Sequence, residues 1–430
     1  MTAAVTIGAD QTLAQADAAS PAFGRTRPVG LGFLTSYTVA QIGAFIAFVP
    51  LLQILAPLKA AGIDPIHKTA VLSQAMFFGA IAASVANLLA GAASDRTRSR
   101  FGRRRPWMAI GLAGTLVSYV VIAKANTATA LVVGVVLFQS LFNCFFAAFG
   151  AVAADRTPDA QKGLLSSLLS LGLPIGSAIG VFVVGGLILD CGARYTALGM
   201  MVAAAILPFL LFQRDPTAAQ DANSSVLPQQ DWRPRSRSDF MLALGGRVLT
   251  LTSHALLQGF GLFLLQDRWS HLRGAPAQIR PEQALALLLA GSTCVHIAAA
   301  LFSGWLSDRV GRRKPFIILG AIGSGAAIAC AAVAQDWNGM IAAFMVFGVA
   351  AGCYCAVDSA LMLQVLPSLE TAGRDLGVVN LTNTIPQALA PMLAVAVVHQ
   401  GHTAYGPLLL IGAAVATAGA ATIIPIRNVR

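Results

Sequence analysis

Apolar residues run along this chain in twelve long stretches, at roughly 29–55, 68–93, 107–125, 130–154, 164–188, 194–213, 241–266, 283–306, 315–335, 338–362, 376–399 and 403–424. A helix needs ~20 residues to cross ~30 Å of hydrocarbon, so the pattern predicts twelve transmembrane helices. One intervening polar segment is longer than a turn. Residues 214–240 carry Pro216, Pro228 and Pro234 and no apolar period, which reads as a mobile linker. It divides the chain into a polar tail (1–28), a bundle of six spans (29–213), a second bundle of six (241–424) and a short tail (425–430).

The polar breaks repeat. Gly91-Ala-Ala-Ser-Asp95-Arg96 leads into Gly102-Arg103-Arg104-Arg105-Pro106, and Gly304-Trp-Leu-Ser-Asp308-Arg309 leads into Gly311-Arg312-Arg313-Lys314-Pro315. The two aspartates lie 213 positions apart in 430 residues. One charged hinge per half-chain points to a duplicated architecture. The predicted fold class is therefore an all-α polytopic membrane protein, with twelve transmembrane helices in two pseudo-symmetric six-helix bundles. A carboxylate after a span can cap the next helix or pair with nearby arginines. Asp95 and Asp308 are thus expected to act as a conformational latch, where plain topogenic charge would need neither the aspartate nor its spacing.

Composition agrees with a bilayer setting. Charged residues make up 11% and hydrophobic residues 56% of the chain, against about 25% charged in soluble domains. The net charge of +11 comes from short basic clusters between apolar runs, which fits the positive-inside rule better than nucleic-acid binding. With both termini inside, 21 Lys and Arg fall on the cytoplasmic side and 7 outside, with Arg247 within span 7. The expected location is the cytoplasmic membrane, the first span serving as insertion signal. The six cysteines show no disulfide framework, and Cys353 and Cys355 point apart on a helix. Neither a phosphate-binding Gly-x-x-x-x-Gly-Lys-Ser/Thr loop nor a metal-ligand cluster is present, so no cofactor, no metal, no ATP hydrolysis and no enzymatic constellation are expected.

The two hinges resemble the loop motif of the major facilitator superfamily, Gly-x-x-x-Asp-Arg-x-Gly-Arg-Arg. The longer first copy, Ser94-Asp-Arg-Thr-Arg-Ser-Arg-Phe-Gly-Arg-Arg-Arg-Pro106, is similar to the branch of sucrose and glycoside–proton symporters. So is Leu376-Gly-Val-Val-Asn380-Leu-Thr-Asn383-Thr-Ile-Pro386-Gln387 in span 11. The resemblance implies the major facilitator fold, a single-chain carrier, and a disaccharide or related glycoside with protons as its partners. It also implies a role for Asp155 in sugar binding and proton coupling.

Ionisable groups inside a span cost about 2.5–3.5 kcal/mol on insertion scales and mark functional sites. Three are expected here: Asp155, Arg247 and Asp358. Asp155 ends span 4 after Gln139 and Asn143, with pairing to Arg156 as the plainer role. Asp358 sits deep in span 10 with Tyr354 one turn away, where proton or substrate work is weighed against a buried pair with Arg247. Thr250, His254 and Gln258 form an i, i+4, i+8 stripe read as a cavity wall. Asn380, Asn383 and Gln387 share one face of span 11 and suit sugar hydroxyls; interhelical hydrogen bonding is their plainer role. The expected activity is proton-coupled sugar symport by alternating access. A facilitator or exporter of another solute, and a non-transporting pigment–protein assembly factor of the same fold, are the alternatives.

Overall fold

A computed structural model of the chain describes residues 29–99, 101–158, 161, 164–165, 168–169, 171–212, 237–365, 372–398 and 405–426, without the side chains of 154, 359–360, 363–364, 372–378 and 380–381. Both tails (1–28 and 427–430) and most of the expected linker (213–236) lie outside the described residues.

Among the described residues, twelve helices follow one another. They are α1 (Leu31–Ile63), α2 (Lys68–Arg96), α3 (Arg105–Lys124), α4 (Ala128–Arg156), α5 (Gly172–Leu187), α6 (Cys191–Phe212), α7 (Arg237–Arg268), α8 (Pro281–Val310), α9 (Lys314–Val333), α10 (Trp337–Gln364), α11 (Ala372–Val397) and α12 (Tyr405–Ile423). Ten are long and apolar enough to cross a bilayer. Two helices change winding midway. α1 passes through a π-helical turn at Leu51–Leu55, just after Pro50, and α5 ends in one at Phe182–Leu187. The start of the expected span 5, before Gly172, is only partly described.

α2 and α8 outrun their apolar stretches, so Asp95 and Asp308 stand in their last turns. The sequence had placed both aspartates beyond the helix ends. Such a carboxylate sits at the wrong pole of its own helix dipole, and nearby arginines compensate. Tight turns follow at Gly102 (φ 100°) and Gly311 (φ 67°), conformations that only glycine adopts readily.

The halves pack alike. In the first, α4 lies against α2 and α3, and α1 against α5 and α6; in the second, α10 lies against α8 and α9, and α7 against α11 and α12. The register repeats at the level of single residues. A Cβ on Gly111 would come 2.5 Å from the Phe145 nitrogen, and one on Gly320 would come 2.8 Å from the Tyr354 nitrogen. Cys144 Sγ lies 3.7 Å from the Trp107 carbonyl, and Cys353 Sγ lies 3.4 Å from that of Phe316. Each of these pairs recurs 209 residues on. Buried Tyr195, Leu198, Val202 and Ile206 of α6 recur as Tyr405, Leu408, Gly412 and Ala416 of α12, 210 residues on. Two pseudo-symmetric six-helix bundles are what the chain forms.

The bundles meet through α2 against α11 and α5 against α8. Their shared polar contacts gather at the end remote from the hinges, called here the far end. At the hinge end, α2 and α8 carry exposed apolar residues such as Val85, Leu88, Leu89, Leu301 and Phe302.

Candidate functional site

In the second bundle, α7, α10 and α11 bring three predicted residues together. Arg247 pairs with Asp358 through Nη1, and its Nη2 donates to Asn383 Oδ1 at 2.9 Å. Asp358 is buried, Asn383 is exposed, and the guanidinium lies between them. Arg247 is ten residues into α7, roughly 15 Å from its start at 1.5 Å per residue, which is interior to the helix rather than at its rim. The pair that the sequence left as an alternative is present.

Local packing explains the placement. Gly246 lets α7 close on α12, where a Cβ would come 2.9 Å from the Gly419 carbonyl. That contact fixes the rotation of α7 and sends the next residue, Arg247, toward α10 and α11. Tyr354, one turn before Asp358, is 1% exposed and is pressed against Gly320 of α9. Its hydroxyl lies toward the Asp358 carboxylate and Thr250, while the buried Arg247 Nε and Ser253 Oγ have no hydrogen-bond partner. Buried polar groups are normally satisfied, so two such atoms on one stretch of α7 mark a polar site rather than a sealed core.

The stripe on α7 does not form one wall. Thr250 faces Gly419 of α12. His254 turns into the second bundle, with Nε2 3.0 Å from Ser324 Oγ of α9 and its ring edge-on to Phe347. Only Gln258 reaches across, accepting from Gln53 Nε2 at 3.0 Å. Helical spacing puts the three on neighbouring turns, but the 3.6-residue period rotates successive ones toward different partners. Tyr354, expected beside an open cavity, is likewise enclosed. Gln387 Nε2 donates to the Asn383 carbonyl at 3.3 Å, while the side chain of Asn380 lies outside the described residues.

On the facing half, Asn143 Nδ2 donates to the Gln139 carbonyl at 2.8 Å, and Asn87 Nδ2 donates to Asn143 Oδ1 at 3.4 Å. Gln139 is buried beside Gly79. Asp155 does not join these amides. It lies twelve residues beyond Asn143, roughly 18 Å along α4, and accepts at Oδ2 from Arg103 Nη2 (3.0 Å) and Arg104 Nε (3.1 Å). The expected partner Arg156 instead stacks over the Phe33 ring.

Asp155 thereby belongs to the first hinge. Buried Arg104, the residue just before α3, also reaches Asp95 Oδ1 (2.5 Å) and Ser94 Oγ (2.6 Å). One guanidinium so ties the ends of α2 and α4 to the start of α3 with charge-assisted bonds. The second hinge is looser: Arg313 Nη2 is 3.4 Å from Asp308 Oδ1, and the aspartate side chain is 72% exposed. Arg309 lies over Trp305, and Arg312 is exposed. Gly91 and Gly304 sit within α2 and α8 with no neighbour that a Cβ would meet.

The far end holds groups the sequence reading missed. Lys68 Nζ pairs with Asp267 at 2.9 Å across the halves, beneath the rings of Phe263 and Tyr405. Tyr405 in turn shares a 2.5 Å hydrogen bond with Thr69. On the other flank Arg194, 1% exposed, pairs with Glu282 at 3.3 Å, and Gln283 Nε2 donates to the Gly186 carbonyl at 3.0 Å. Arg194 is one of the seven basic residues that the charge bias puts outside, yet it is buried, so the expectation of three interior ionisable residues is too small. Gln53 and Asn87, lone polar residues inside apolar runs, were the available signal for the amide contacts Gln53–Gln258 and Asn87–Asn143.

The family model described as the Major Facilitator Superfamily matches residues 30–277 and 275–429. No curated protein matches the sequence. Among solved structures, the chain is similar to the POT family transporter PepTSo, with a TM-score of 0.72 and 12% identity over 92% of this chain and 98% of that one. It is similar to the nucleoside transporter NupG, at 0.71 and 15% identity over 92% and 99%. A bacterial homologue of the human lysosomal transporter Spinster, in an inward-facing and occupied conformation, matches at 0.64 and 14% identity over 91% and 93%. At these identities the likeness is one of fold.

Proposed function

This chain belongs to the major facilitator superfamily, and we propose that within it the protein is a proton-coupled symporter of a sugar or related glycoside, working by alternating access. The observation that carries the reading is the Arg247–Asp358–Asn383 junction, a buried charge pair whose guanidinium reaches an exposed amide on α11, the helix that packs against α2 of the other half. A carboxylate there can take a proton, and an amide beside it offers both a donor and an acceptor to a polar solute. The cleft is closed at the far end by Lys68–Asp267 and Arg194–Glu282. Taking the hinge end as cytoplasmic from the charge bias, this is the inward-facing arrangement, with both termini inside the cytoplasmic membrane.

Within this reading Asp358 carries the proton. Asp155, held by Arg103 and Arg104, works with Asp95 and Asp308 as a latch at the hinge end. Uptake of labelled disaccharides into vesicles with an imposed proton gradient tests the assignment. Asp358→Asn should abolish gradient-driven accumulation, whereas Asp155→Asn should slow it and leave the final level intact. Full accumulation by Asp358→Asn would sink the proposal.

A further inference from the structure

The guanidinium of Arg247 stands in front of its own counter-ion. Asp358, 4% exposed, lies behind it in the bundle, while on its other side Asn383, exposed on the helix that packs against α2 of the first half, accepts from Nη2 through Oδ1. A solute arriving through the cleft therefore meets a cation, with the acid shielded. Asn87, Asn143 and Gln139 on the facing half are neutral amides. The guanidinium also keeps a buried Nε without an acceptor.

The fold itself does not call for charge at this place. The positions equivalent to Arg247 and Asp358 in the first half are Tyr37 and Phe149, 210 and 209 residues earlier. They stack at 4.2 Å, with Phe209 edge-on to both. The same backbone site is filled by an aromatic core in one bundle and by an ion pair in the other. Burying an ion pair rarely stabilises more than an apolar filling of the same volume.

We propose that Arg247 binds a carboxylate carried by the transported solute, and that Asp358 is a built-in carboxylate that occupies the guanidinium while the site is empty. The proposal rests on the cleft being the transport path and narrows its cargo to an anionic solute, such as a sugar acid. A proton taken up by Asp358 removes the resident counter-charge, and the solute carboxylate replaces it on Arg247. Asn383 turns its amide so that the NH₂ faces the newcomer. One proton and one univalent anion enter together, so the loaded and empty centres carry the same charge. The groups facing Asp358 are Arg247 from α7 and, on its own helix, Tyr354 and Cys355. His254 lies beyond the Tyr354 ring and His296 of α8 behind it. α9, α11 and α12 bring it no charged side chain among the described residues.

Thermal unfolding of the purified full-length protein tests this, with glucuronate against glucose and galacturonate against galactose at about pH 5.5 and about pH 7.5. In wild type, each acid should raise Tm more than its neutral partner. Its apparent affinity should rise by up to about tenfold per unit fall in pH, since one proton binds with one anion. Asp358→Asn should show the rise at both pH values, and the double variant Arg247→Gln/Asp358→Asn should show none. Equal stabilisation by acid and neutral sugar in wild type overturns the proposal. So does a rise that survives in the double variant, or no rise with either acid in Asp358→Asn, where the guanidinium is unopposed. Should Asp358→Asn fail to fold, the wild-type comparison decides alone. Glucose accumulated on a proton gradient with no response to glucuronate sinks the anion site and keeps symport. An acid-specific rise without gradient-driven uptake supports the anion site and sinks symport.

Discussion

A buried arginine with one acidic partner is stable only while both charges are present. Removing one partner of such a pair costs about 3–5 kcal/mol, most of it from the charge left behind, whereas removing both costs far less. Asp358→Asn should therefore lower the unfolding free energy of the detergent-solubilised protein by about that amount, and Arg247→Gln in the same chain should restore most of it. Equal stability of the single and double variants would show that the pair is solvated in the folded protein. The sequence exposed these two residues because a charge deep in an apolar run stands out against its neighbours. It misplaced His254 and Tyr354 for a related reason. Spacing assigns residues to one face of a helix, but which neighbour that face meets is set by contacts made elsewhere, such as Gly246 on α12 and Gly320 on Tyr354. Arg194 was hidden because it begins its helix beside a loop, where sequence alone cannot separate a snorkelling arginine from one drawn under Glu282.

At the scale of elements, both π-helical turns carry a bond between the halves. Gln53 projects from the one in α1 to Gln258, and the carbonyl of Gly186 in the one of α5 receives Gln283. A π turn widens the helix by one residue and disturbs the i→i−4 ladder, which leaves a carbonyl or a side chain free to face outward. Neither turn is written in hydrophobic period, which predicts ordinary span at both. The α1–α2 loop is a different case. Asp64 Oδ1 accepts from the backbone nitrogens of Ile66 (3.0 Å) and His67 (2.9 Å), and Oδ2 meets the His67 ring at 2.9 Å. The His67 backbone bond first, then its ring, hold the carboxyl below the usual carboxylate range. A lowered folded value gives stabilisation that is complete above the ordinary carboxylate range and is lost as pH falls through the lowered one. Protection of the first turn of α2 against hydrogen exchange should fall on that acidification, and Asp64→Ala should show the weaker protection at neutral pH.

For the whole molecule, the twelve helices, the division into halves and the duplication were legible, because apolar length and the repeated hinge are local signals. Which end is closed was not. That depends on Lys68 finding Asp267 and Arg194 finding Glu282, partners 199 and 88 residues away, and no periodicity records such distances. If these pairs hold the far end shut, Lys68→Ala with Arg194→Ala should raise the population open at that end by about tenfold, a shift of about 1.4 kcal/mol between the two states. Spin labels on the α1–α2 and α7–α8 loops would read it as a longer far-end distance. An unchanged distance distribution would mean that apolar contacts alone close that end.

The matched register of the halves also makes one bundle a blueprint for silencing the other. Tyr37, Phe149 and Phe209 form a packed aromatic triad, and their counterparts are Arg247, Asp358 and Gly419. Copying the stacked pair across, as Arg247→Tyr and Asp358→Phe, with Gly419 kept because α7 closes on it, should give a chain that folds with a melting temperature near that of the parent and carries nothing. Its circular dichroism melt and its vesicle flux would show both at once. Such an idle twin, alike in every surface the membrane meets, would be the natural blank against which any cargo of the working protein is counted.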